Sequence, residues 1–82
     1  MSLFGVRGGP HEGVEPASPA QVIDVAARAG AHRITHDPVE NVSRFVIDAP
    51  TTPHAFAAAR EIFEPLYGSS WWAEVSTFPL FN

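Results

Sequence analysis

The residues best suited to chemistry in this chain are its histidines. His32 and His36 stand four apart, the spacing at which two imidazoles share one face of a helix and can hold a zinc ion. Their surroundings, Ala31 to His36, read instead as a strand. On a strand the two rings lie about 13 Å apart, at about 3.3 Å per residue, too far for one ion. No metal site is therefore expected. His36, beside Asp37 at the strand's end, is the better candidate for an acid or base, because imidazole titrates near neutral pH. His54 falls in the first turn of a helix, where the macrodipole disfavours the imidazolium. The bland alternative for all three is a surface or edge histidine.

Other catalytic constellations are missing. There is no cysteine and no G-x-S-x-G elbow. Asp24, Asp48, Glu61, Glu64 and Glu74 are spread over different elements, so no carboxylate pair is implied. Gly5-Val6-Arg7-Gly8-Gly9 lacks both the Walker lysine and the dinucleotide spacing, and reads as part of a loop. No cofactor is implied.

The elements that position these residues follow from periodicity and punctuation. Leu3 to Val6 alternates weakly and is the least marked strand. Residues 8–17, rich in Gly and Pro, read as a flexible loop. Ser18-Pro19-Ala20-Gln21 is a capping box, followed by Val22, Val25, Ala26 and Ala29 at helical spacing and closed by Gly30. Ala31 to His36 and Val42 to Ala49 are strands joined by a short turn at Asp37-Pro38. Thr52-Pro53 resembles a helix start, with Phe56, Ala59, Phe63 and Leu66 on one stripe. Pro65 should kink or stop that helix near Glu64. Trp71 to Phe78 is the last strand.

The order is βαββαβ, an α+β, ferredoxin-like split βαβ arrangement. It predicts a four-stranded antiparallel sheet with two helices on one face, three-stranded if the N-terminal strand is absent. The 82 residues form one domain, 1–82, with a thin core. Alternation divides the strands into two faces. Phe45, Ile47, Trp71 and Val75 point to the core, and on the strand Ala31 to His36 alternation puts His32, Ile34 and His36 on that side too. Arg33, Thr35, Arg44, Val46, Asp48, Trp72, Glu74, Ser76 and Phe78 point to the face without helices. Val46, Trp72 and Phe78 are costly to leave in water together, yet charged residues share their face. That mixture is characteristic of a subunit interface. A homodimer paired through this face is expected, with Arg33, Arg44, Val46, Trp72, Glu74 and Phe78 as its binding residues. Cover by the C-terminal tail or by the Gly8 to Pro16 loop is the alternative.

The strand Ser43-Arg44-Phe45-Val46-Ile47-Asp48, the helix Pro53 to Leu66 and the strand Trp72-Ala73-Glu74-Val75-Ser76 together resemble the ferredoxin-like proteins that pair as dimeric α/β barrels. The resemblance is one of pattern, without a diagnostic motif, and covers about half the chain. It implies architecture and little else, because that group, which includes small monooxygenase-like and ligand-binding domains, does many things.

Bulk composition narrows the partners. Net charge is −4, and all five basic residues are Arg. A mildly acidic chain without a basic stripe is a poor nucleic-acid binder. Ser43 to Asp48 also lacks the glycine and paired aromatics of an RNA-recognition strand. No apolar run approaches the roughly 20 residues of a membrane span, and the N-terminal residues lack a signal-peptide pattern. With no cysteine, a cytoplasmic location is the simplest expectation. The leading expectation is a small homodimeric ligand- or protein-binding module. The alternative is a cofactor-independent enzyme using His36, His32 or His54 for proton transfer in a cavity between sheet and helices. A third is an adaptor in a larger complex.

Overall fold

The computed structural model describes residues 2–77. Strand β1 (Ser2–Pro10) leads into helix α1 (Pro19–Arg28), strands β2 (His32–Asp37) and β3 (Val42–Ala49), helix α2 (Thr52–Tyr67) and strand β4 (Trp71–Thr77). The strands form one antiparallel sheet in the order β2-β3-β1-β4. This is the split βαβ arrangement, with four strands and the first of them central.

The N-terminal strand is longer than the alternation of Leu3 to Val6 predicts. It continues through Gly8, Gly9 and Pro10, all buried, so the segment outside the sheet begins at His11 rather than at Gly8. Glycine is used here for close approach. A Cβ on Gly8 would strike the Trp72 carbonyl and come within 2.9 Å of the Phe63 ring, and one on Gly9 would strike the Asn41 carbonyl. Two bare positions let β3, β4 and α2 crowd against the centre of the sheet.

Local signals account for the helix ends. The Ser18 hydroxyl accepts from the Gln21 N–H at 3.2 Å, and the Gln21 side chain accepts from the Ser18 N–H at 3.0 Å. At the other end Gly30, at φ +87°, lets its own N–H reach Ala27 and the Ala31 N–H reach Ala26, the paired closure of a Schellman motif. The cap of α2 is Thr51, one residue earlier than the Thr52-Pro53 pattern predicts; its hydroxyl accepts from the His54 N–H. The helix does not stop at Glu64. It continues through Pro65 to Tyr67, and the Gly68 N–H closes on the Glu64 carbonyl at 2.8 Å.

The core lies between the helices and one sheet face. Phe4, Val6, Phe45, Ile47 and Ala49 from the sheet meet Ala26 of α1 and Ala55, Ala59, Ile62, Phe63 and Tyr67 of α2. Small residues on both helices hold them close, while Phe63 stacks on Trp71 with ring centres 5.7 Å apart. Two members of the predicted helical stripes, Ala29 and Phe56, are exposed instead. Phe56 lies over the outer side of Trp71, 5.7 Å between centres. The Tyr67 hydroxyl is buried without a hydrogen bond of good geometry. Burial raises its pKa above 10.0, and the Ala17 backbone beside it pulls the other way. Among the described residues no helix is long and apolar enough to cross a membrane.

Candidate functional site

The face of the sheet away from the core is built in rows. Antiparallel partners point to the same side, so the register dictates the rows. One row runs Thr35, Arg44, Arg7, Glu74 across β2, β3, β1 and β4. The next runs His32, Val46, Gly5, Ser76. Leu3 and Asp48 pair beyond it, and Trp72 stands opposite Gly9 on the other side. Gly5 carries no side chain, so the face is lowest there.

A concavity of about 360 Å³ opens over Gly5 and Val46, rimmed by Arg7, Arg33, Arg44, Glu74 and Ser76. Arg33 reaches it through an irregularity in β2. Between His32 and Thr35 the strand holds one residue more than β3 does, so Arg33 and Ile34 both lie opposite Phe45. Arg33 takes φ +53° at this bulge. Ile34 then packs on the core while Arg33 lines the open side.

Charges on this face are unevenly matched. The Arg7 guanidinium pairs with Glu74 at 3.0 Å and sits 5.3 Å from the centre of the Trp72 ring. Its direct cross-strand neighbour is a like charge, Arg44, which is exposed and makes no ion pair among the described residues. Among the described residues that line the concavity are three of the chain's five arginines and one carboxylate, Glu74.

Of the predicted binding residues, the structure brings Arg33, Arg44, Val46 and Glu74 together around the concavity, with Trp72 on the adjoining row. Phe78 lies outside the described residues. The expected apolar exposure is reduced. Val46 is only 6% exposed, and Trp72 is half-buried beside Arg7. Charge and shape, more than exposed hydrophobic area, distinguish the face. Arg7 is the residue that sequence reasoning missed, because it fell at the edge of the presumed loop. The alternation of Leu3, Gly5 and Arg7 against Phe4 and Val6 is the signal that places it.

The histidines are dispersed. His32 shares the register position of Val46, not the core side expected for it with Ile34 and His36, because the bulge at Arg33 breaks the alternation. His36 does face the core side, where its Nδ1 lies 2.8 Å from the hydroxyl of its cross-strand partner Ser43. Ser43 is completely buried, so this bond satisfies an interior hydroxyl rather than activating an accessible nucleophile. His54 is exposed at the start of α2, with Nδ1 2.6 Å from the Thr51 hydroxyl. A second, shallower concavity lies between α2 and β4, lined in part by Phe56, Arg60 and Trp71. Neither concavity has a histidine in its lining. Among the described residues no three His, Asp or Glu side chains are grouped to hold a metal ion. Comparison with protein-family models, with curated protein sequences and with solved structures finds no match.

Proposed function

We propose that this chain is a small homodimeric binding module in which two copies pair sheet to sheet through the face that carries no helix. The observation behind this reading is the composition of that face. Arg44, Glu74 and Asp48, of both signs, share with Trp72 and an exposed Leu3 the one sheet face that no helix covers. A two-fold interface presents the same patch twice, so charged contacts across it need both signs on one patch. Trp and Arg are also the side chains that most often anchor such contacts. Two facing concavities would then meet at the interface and form a chamber, in keeping with a ligand-binding role.

Sedimentation equilibrium tests the pairing. The chain is expected to be a dimer at micromolar concentration, and Trp72→Ala is expected to yield a monomer with unchanged far-UV circular dichroism. A strict monomer in the unmutated chain would remove the proposal. Unfolding of Trp72→Ala would mean that Trp72 belongs to the core.

A further inference from the structure

We infer that the concavity over Gly5 and Val46 binds a small organic carboxylate. The inference uses the open face of the proposed module but does not require a second copy. The direct juxtaposition of Arg7 and Arg44 carries it. Like charges placed directly opposite on neighbouring strands repel. Glu74 answers only Arg7, and nothing among the described residues forms an ion pair with Arg44. Arg33, brought there by the bulge, lines the same rim. An anion seated between Arg44 and Arg7 relieves the repulsion. A carboxylate matches the planar fork of a guanidinium in a bidentate pair.

Shape selects an organic acid over a bare oxyanion. The floor is Val46 and the side-chain-free Gly5, an apolar shelf rather than a ring of donors. A volume of about 360 Å³ is within the range of small-molecule sites. The ligand is therefore two-ended, with an apolar body on the shelf and a carboxylate at the arginine rim. The Ser76 hydroxyl, opposite Gly5, is placed to supply one further hydrogen bond. Nucleic acid does not fit, because the cations stop at this rim and the chain as a whole repels polyanions.

Three probes test the site on the full chain by amide NMR titration: benzoate, its neutral counterpart benzyl alcohol, and inorganic phosphate. Benzoate should saturably move the amides of Gly5, Val46 and Ser76, and benzyl alcohol at equal concentration should not. Arg44→Gln should weaken benzoate at least tenfold while keeping a dispersed, native spectrum. Arg28→Gln, a change on an exposed position of α1, should leave the titration unaltered. The inference is overturned if benzoate leaves those amides unmoved, if Arg44→Gln binds it equally well, or if benzyl alcohol binds as tightly. Phosphate binding as tight as benzoate would overturn the assignment to an organic acid. Sedimentation of the same samples separates the two readings. A monomer that binds benzoate removes the dimer and leaves the site, and a dimer that ignores benzoate does the reverse.

Discussion

Replacing Gly8 with alanine tests the placement of the whole first strand, because strand and loop predict opposite signs. In an open loop, alanine restricts the unfolded chain and stabilises by about 0.4–1 kcal/mol. In the structure Gly8 is buried, opposite Ser43 on one side and Ala73 on the other. The added methyl would collide with the Trp72 carbonyl, which belongs to the ladder and cannot swing away, and would press on the Phe63 ring at 2.9 Å. Phe63 has no freedom either, being fully buried between Phe45, Tyr67 and Trp71. Overpacking of this kind costs about 1–3 kcal/mol. Relief of glycine's own strand penalty returns about 0.5–1 kcal/mol. Because the collision is with backbone, the upper half of the overpacking range applies, and the net expectation is a loss of about 1–2.5 kcal/mol. For a domain of this size that lowers Tm by roughly 4–20 °C. Thermal unfolding followed by circular dichroism measures it, with the midpoint read at several protein concentrations so that any association is separated from intrinsic stability. A Gly8→Ala chain as stable as the parent, or more stable, would refute both the close approach and the central strand it serves.

Two further changes probe the core and the site. Tyr67→Phe removes a buried hydroxyl without a well-formed partner and should stabilise the chain by about 1 kcal/mol in urea denaturation at pH 7. Because burial raises the Tyr67 pKa, its protonated form contributes stability below pH 10 that is lost as pH rises further, when the unfolded chain ionises first. The phenylalanine variant should lack that part of the alkaline decline, and a large loss of stability at pH 7 would instead reveal a good hydrogen bond. Glu74→Gln breaks the ion pair with Arg7, and since both side chains are well exposed the stability should change by no more than about 0.5 kcal/mol. The same change should tighten benzoate binding severalfold by NMR titration, as Arg7 loses its competing carboxylate; unchanged affinity would place Glu74 outside the site.

Much of the fold was legible because several elements carry two agreeing signals. The first helix has a capping box at one end and a left-handed glycine at the other, with small apolar residues between. The strand Val42–Ala49 alternates cleanly enough that its exposed members, Arg44 and Asp48, are read directly. The opening strand was half hidden, since Gly8, Gly9 and Pro10 have the composition of a loop. Only three-dimensional crowding by Phe63, Trp72 and Asn41 explains why glycine is required there. The faces of β2 were misread at His32 for a different reason. Its bulge is centred on an arginine, and nothing in the residue type announces a left-handed backbone. The site was seen in part, as Arg33, Arg44, Val46, Trp72 and Glu74. Its pairing of Arg7 with Arg44 depends on register between strands far apart in the chain and could be seen only once β1 was in place.

The bulge at Arg33 has a consequence for solubility. β2 is an outer strand of the sheet, and an outer strand offers unpaired backbone groups to any extended chain that comes alongside. An extra residue in the left-handed conformation twists that margin and interrupts its regular sequence of donors and acceptors. Strand-by-strand growth into fibrils from this margin is thereby blunted, at a local backbone cost of about 1 kcal/mol. The irregularity that points Arg33 at the concavity also discourages the sheet from extending itself along that side.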